Sequence, residues 1–194
     1  MRVVREYKNK DEYFNHQLEK TTNKNVKKNK TRDWKGSIIR YKELFKNYGV
    51  EENKNCLCIG SRYGQEVEAL RNMNCSAIGI DLVEFPPYTI VMDMHDLKYD
   101  DKSFDVLYSN ALDHSWDINK SVSEMFRVAR EKVIITILLN NRGNYEVTVF
   151  DSLDDIIDIV KSLGIKYEYR LIERKKDYTM IFDIGEKNET TKNN

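Results

Sequence analysis

No apolar run in this chain reaches the roughly 18 residues a membrane-crossing helix needs. The opening Met1-Arg2-Val3-Val4-Arg5-Glu6 also lacks the apolar segment of a secretory signal. Together these absences lead to the expectation of a cytoplasmic protein. Cysteine is scarce too: Cys56, Cys58 and Cys75 cannot all pair, and the first two share one short apolar run. Buried free thiols are expected rather than a disulfide scaffold. Cys56-Leu57-Cys58 lacks two further ligands at zinc-site spacing, so no metal is expected. Net charge is absent, with 32 Lys and Arg against 32 Asp and Glu. A dedicated nucleic-acid binder is therefore the weakest functional class.

What is present suits a globular domain, with 40% hydrophobic and 33% charged residues in 194. That length is enough for one central sheet between helical layers. Charge is uneven: residues 1–50 hold 14 Lys or Arg against 6 Asp or Glu, a net of +8, and the remainder is −8. Such an arm can steer an acidic substrate or a nucleic acid, or can simply be a lysine-rich solvated face. Residues 1–50 are taken as a helical, basic arm and lid, flexible at about 21–31, where apolar side chains are nearly missing. Tyr7, Tyr13, Phe14 and Leu18 can anchor a short helix before that stretch. After it, Trp34, Ile38, Tyr41, Phe45 and Tyr48 recur at helical spacing until Gly49, and the stripe suits packing against a sheet.

From residue 51 to 185 the pattern alternates between short apolar runs and amphipathic helices. The runs are 56–59, 76–80, 89–92, 104–108 and 133–139, and their nearly continuous apolar character predicts parallel strands covered on both faces. Segments 167–172 and 178–184 are joined by Glu173-Arg174-Lys175-Lys176-Asp177, too short for a crossover helix, so they form an antiparallel pair. The expected fold is α/β: a Rossmann-like, doubly wound mixed sheet of seven strands, mostly parallel, with a C-terminal antiparallel hairpin and helices on both faces. Residues 146–150 suggest a small extra edge strand, and 186–194 a loose tail.

The first strand exits through Gly60-Ser61-Arg62-Tyr63-Gly64-Gln65-Glu66 into a helix. Gly60 lets the backbone turn and Gly64 allows close approach at the helix start. Asp81 ends the second strand, 21 residues beyond Gly60, where a carboxylate can accept both hydroxyls of a ribose. A dinucleotide turn starting at Gly60 needs glycine where Arg62 and Gln65 stand, and no Gly-Lys-Ser or Gly-Lys-Thr follows. Glu66 and Glu68 add negative charge near the helix start, unhelpful for phosphate but compatible with an amino group or a sulfonium. A phosphate-free adenosine ligand fits best.

Taken in order, the segments Leu57 to Glu66, Gly79-Ile80-Asp81-Leu82, Met92-Asp93-Met94-His95-Asp96-Leu97 and Ser103 to Asn110 resemble class I S-adenosylmethionine-dependent methyltransferases, in particular the type 11-like group, over residues 55–184. The resemblance implies S-adenosyl-L-methionine as cofactor. It sets Gly60, Ser61 and Gly64 along the methionine part, Asp81 with neighbouring Leu82 at the ribose, Asp93 at the adenine amino group, the Met94 N–H at the ring, and Asn110 beside the methionine moiety. Two positions depart from the pattern. Cys58 replaces an acidic residue, for which Glu66 can substitute. Arg62 replaces a glycine, and either narrows the pocket or reaches the methionine carboxylate. Both departures leave open a non-catalytic binder of S-adenosylmethionine or S-adenosylhomocysteine.

Asn110-Ala111-Leu112-Asp113-His114-Ser115 follows the fourth strand, and ligands of doubly wound folds sit beyond the carboxyl ends of strands. Asp113 and His114 are the candidates for acceptor orientation or proton removal, with a helix cap and a surface histidine as the bland alternative. His95 is a further cleft candidate, and His16 is expected to face solvent. Phe85-Pro86-Pro87-Tyr88 resembles the Pro-Pro-Tyr element of amino-methylating nucleic-acid enzymes but follows strand two instead of strand four, so it is taken as a rigid loop. The expectation is direct in-line methyl transfer to oxygen, nitrogen or carbon of an acceptor, small or anionic, whose identity stays open.

Overall fold

Successive strand residues point to opposite faces of a sheet, so a run that is apolar at every position needs cover on both sides. The computed structural model describes residues 1–22 and 33–185 and shows this division. Leu57 and Ile59 of β2 (Asn55–Ile59), Leu107 of β5 (Phe104–Ser109) and Val133, Ile135 and Ile137 of β6 (Ala129–Leu138) face one core. Cys56, Cys58, Val106, Tyr108 and Ile134 face the other. The first core is roofed by α4 (Ile118–Val128) and α5 (Asp154–Ser162), the second by α2 (Trp34–Asn47) and α3 (Gln65–Arg71). Phe45 and Tyr48, from the predicted aromatic stripe, are fully buried against the second core. Each such side chain contributes about 1.5–3 kcal/mol by leaving water.

The remaining strands are β3 (Ser76–Asp81), β4 (Thr89–Val91), β8 (Tyr167–Arg174) and β9 (Asp177–Ile184). Together they complete a seven-stranded sheet of order β4-β3-β2-β5-β6-β9-β8. All pairings from β4 to β6 are parallel, and β9 runs antiparallel to both β6 and β8. The expected hairpin and sheet are thus present. The order reverses between β2 and β5, which opens a crevice at their carboxyl ends. No helix among the described residues is long and apolar enough to cross a membrane, and the three cysteines are free and buried.

Two expectations are corrected. Strand β6 begins at Ala129, not 133, because Lys132 pairs with Asp183 of β9 and Lys54 with Glu131, so a polar stretch is held in the ladder by ion pairs. The extra edge strand is only β7 (Thr148–Val149), and it joins β1 (Arg2–Val3) in a separate antiparallel pair instead of the main sheet. Thr21 and Thr22, at the start of the stretch expected to be flexible, belong to α1 (Lys10–Thr22). The remainder of that stretch and the expected tail at 186–194 lie outside the described residues.

The N-terminal segment is tied down before α1 begins. The Met1 ammonium meets Asp155 at 2.6 Å, and Arg2 pairs with Asp151 at 2.7 Å. The β1–β7 ladder adds backbone hydrogen bonds, and α1 is thereby aimed across the crevice.

Gly60 and Gly64 both occupy the left-handed region, at φ 73° and 77°. A Cβ on Gly64 would lie 2.3 Å from Cβ of Tyr88. Gly64→Ala is therefore expected to lose about 1–2 kcal/mol for its conformation and more for the clash. Gly164, at φ 65° with open space around it, is expected to lose only the conformational part. Denaturant titration of the two variants checks this, and equal losses would discount the Tyr88 contact.

Candidate active site

The β2 exit and the β3 tip are joined by one carboxylate. Asp81 accepts the backbone N–H of Arg62 at 2.9 Å and that of Leu82 at 2.7 Å. Gly60 N–H and Ser61 N–H in turn both donate to the Ile80 carbonyl, at 2.9 and 3.0 Å. Burial raises the Asp81 pKa, opposed by the Arg62 charge and by these backbone donors. Arg62, at the place of the missing glycine, still adopts a left-handed φ of 46°. The turn thus keeps a glycine-like backbone under a long cationic side chain, whose Nε is buried without a hydrogen-bond partner.

A cavity of about 50 Å³ opens beside this turn. Its walls include Asp81, Leu82, Asp93, Met94, Gly60 and Arg62, joined by Tyr13 and Gln17 of α1. Asp93 stands on the loop after β4. Its Oδ1 accepts the His95 N–H at 3.0 Å and bonds His95 Nδ1 at 2.6 Å, while Oδ2 meets Lys10 of α1 at 2.7 Å. Burial works against ionisation, but the His95 and Lys10 hydrogen bonds outweigh it and hold Asp93 well below the usual carboxylate range. His95 is buried. Its Nε2 accepts the Asp117 N–H at 3.4 Å, which leaves Nδ1 to donate to Asp93, so it braces that carboxylate. Asp93 therefore both caps its own turn and faces the cavity.

A second compartment of about 170 Å³ continues from the first and shares Gly60, Arg62, Ala111 and His114 with it. Ser61, Glu66, Asn110, Tyr41 and Lys20 complete its outline. Glu66 is 4% exposed, a carboxylate carried into the interior by the first turn of α3. Asn110 Nδ2 donates to the Tyr41 hydroxyl at 3.3 Å. Beyond Tyr41 and Asn110 lies a wider polar groove between α2 and the β8–β9 turn, floored by Tyr108 and Thr136.

Asp113 and His114 form a single 3₁₀ turn after β5, both half-buried, with His114 at the junction of the two compartments. His114 Nδ1 lies 3.0 Å from the Tyr145 carbonyl, so the neutral ring carries its proton there and turns the Nε2 lone pair inward. Lys20 Nζ lies 2.6 Å from that Nε2. Burial lowers the His114 pKa and raises that of Asp113. Asp113, His114 and Glu146 each bring a ligand-capable atom within 4.8 Å of the others, and a protein ammonium, that of Lys20, already supplies positive charge to the nest.

Most of the predicted residues therefore meet in one connected crevice: Gly60, Ser61, Arg62, Glu66, Asp81, Leu82, Asp93, Met94, Asn110 and His114, with Asp113 beside His114 but lining neither compartment. Gly64 lines neither compartment and packs under Tyr88 instead. The Ser61 hydroxyl is bonded to Thr89, 2.9 Å away. His16 does not face solvent: it is half-buried, stacks on Tyr145 with centroids 5.3 Å apart, and bonds the Tyr7 hydroxyl. Sequence spacing gave no sign of Tyr13, Gln17, Lys10 and Lys20, because they belong to a helix 40 or more residues before the glycine turn. Their shared face at i, i+3, i+7 and i+10 was the only available signal.

Three carboxylates, Asp81, Asp93 and Glu66, line the crevice, and Arg62 is the cation beside the turn. Comparison with known proteins bears on the fold. Residues 57–137 match the family described as methyltransferase domain. No curated protein matches the chain. A S-adenosylmethionine-dependent methyltransferase from Aquifex aeolicus is similar in structure, at 16% identity and TM-score 0.61, covering 75% of this chain and 89% of that one. A Burkholderia thailandensis 1,6-didemethyltoxoflavin-N1-methyltransferase, solved with 1,6-didemethyltoxoflavin and S-adenosylhomocysteine, reaches TM-score 0.67 at 10% identity over 95% and 94% of the two chains. A third methyltransferase, from Archaeoglobus fulgidus, gives TM-score 0.63 at 14% identity over 79% and 97%. This chain has the fold of class I S-adenosylmethionine-dependent methyltransferases, and its match to the methyltransferase-domain family spans residues 57–137 of the 194.

Proposed function

We propose that the protein delivers the methyl group directly, in line, to an oxygen, nitrogen or carbon of an acceptor entering at the carboxyl edge of the sheet. One observation carries this assignment of the crevice: the half-buried Asp81 carboxylate shares a cavity with the Gly60 turn and no phosphate cradle accompanies it. Asp81 and Leu82 would take the ribose, and Asp93 and Met94 the adenine. Gly60, Ser61, Glu66 and Asn110 would line the amino-acid end, with the unpartnered Arg62 Nε suited to its carboxylate. The cofactor supplies a methyl on a sulfonium whose sulfur leaves as a neutral thioether, so positioning does much of the work.

His114 would take the acceptor's proton at Nε2, and Asp113 would orient the acceptor or stabilise the imidazolium. Burial lowers the His114 pKa, so the ring is neutral at neutral pH and its Nε2 lone pair is open to a proton. Residues 1–50 would serve as arm and lid, with Lys10 giving up Asp93 when the nucleoside binds. The charge of that arm favours an anionic acceptor. Three buried unpaired thiols favour a cytoplasmic location.

Calorimetry tests the cofactor assignment. S-adenosylmethionine and S-adenosylhomocysteine are expected to bind and NAD not to, and Asp81→Ala should weaken binding about tenfold or more through loss of a charged hydrogen bond. Binding of NAD alone would overturn it. For His114, the unfolded ring binds a proton below about pH 6.5 and the folded ring only at lower pH, so stability falls as pH drops through that window. The loss in melting temperature from about pH 7.5 to about pH 5.5 should be smaller in His114→Gln than in the unaltered chain. Identical losses would show that this ring is not held neutral by burial.

A further inference from the structure

His114 lines both compartments, together with Gly60, Arg62 and Ala111. If the nucleoside takes the compartment of Asp81 and Asp93 and the amino-acid end takes that of Glu66 and Asn110, the transferable methyl lies between them, at this junction. Lys20 reaches the same point. It comes from the last turn of α1, lines the second compartment, and sets Nζ 2.6 Å from His114 Nε2. The surroundings suit an amine held for proton removal. The Tyr145 carbonyl orients the ring, the Tyr145 ring faces the ammonium at 5.7 Å, and the Asp113 and Glu146 carboxylates flank the imidazole.

We propose that Lys20 is a methyl acceptor of this site, so that the protein methylates its own Nζ. The Lys20 ammonium passes a proton to His114 Nε2, and the freed lone pair attacks the methyl carbon. The N–C bond forms as the C–S bond breaks, and the sulfur keeps both electrons and leaves as the thioether of S-adenosylhomocysteine. Solvent takes the proton from His114. No oxidant or further reactant is needed. The inference rests on the assignment of the two compartments to S-adenosylmethionine.

The experiment uses the full chain incubated with S-adenosylmethionine, followed by intact-mass measurement and peptide mapping. One or more methyl increments on Lys20 are expected, at a rate per molecule independent of protein concentration and lost in Lys20→Arg. His114→Gln should slow the modification by about 10² or more at neutral pH. Alkaline buffer approaching the ordinary lysine pKa of about 10.4 should restore much of it, because the amine then loses its proton unaided. A readout independent of turnover is acylation of lysines by an amine-selective reagent: S-adenosylhomocysteine should protect Lys20 more than other lysines. If calorimetry shows S-adenosylmethionine bound while Lys20 stays unmodified, or methyl groups appear only on other residues, the proposal is overturned. If S-adenosylmethionine does not bind, the assignment of the crevice fails instead.

Discussion

The site depends on a carboxylate that holds two chain segments at once. Asp81 draws the Arg62 and Leu82 N–H groups to itself at the tip of β3, fixing the β2 exit against its neighbour. Backbone donors satisfied by a buried acceptor are costly to leave unpaired, so the turn stays where the carboxylate is. This bond also explains how Arg62 replaces a glycine without loss of the turn. Its backbone pays about 1–2 kcal/mol for a left-handed conformation, and the charged hydrogen bond from its own N–H offsets much of that. The rest of the crevice is arranged outward from this join, with α3 starting at Gly64 and the Asp93 loop facing it across the cavity.

Helix α1 adds a second, electrostatic layer. Lys10 meets Asp93 and Lys20 meets His114, one near each end of the helix, while Tyr13 and Gln17 fill the span between them. The basic character of residues 1–50 thus has a local purpose: two of its lysines answer acidic or imidazole groups on the far side of the crevice. These contacts pair groups that differ in burial. Asp93 and His114 are sheltered, whereas Lys10 is about half exposed, so that pair lies nearer to solvent and is open to exchange and to screening by salt. A helix held in this way can stay ordered and still yield to a ligand that offers Asp93 a better partner.

Legibility in the sequence followed the range of the interactions. The strands around Cys58, Ile80 and Leu107 were readable because unbroken apolar runs have few other uses in a soluble chain. Gly60 and Asp81 were readable because the β-α-β unit sets their spacing. Gly64 was correctly marked for close approach, but the approaching group is Tyr88, which no local pattern identifies. His16 was misjudged because its stacking partner, Tyr145, is 129 positions away. The polar start of β6 was missed because Lys132 and Glu131 look like loop residues until Asp183 and Lys54 are set beside them.

By itself, the amino-acid order determined the sheet, its two covered faces, the glycine turn, the opposing acid and the exclusion of phosphate-bearing ligands. All of these are consequences of local conformational preference and apolar periodicity, which act over a few residues to a few tens. Only the tertiary structure decided which groups close the crevice. It brought Lys10 to Asp93, Lys20 to His114 and Tyr145 beneath both, because these meetings depend on the path by which the β1–β7 pair and the Met1–Asp155 contact carry α1 across the sheet edge. Such long-range pairings leave no periodic trace, and the chemistry of the junction is set by them.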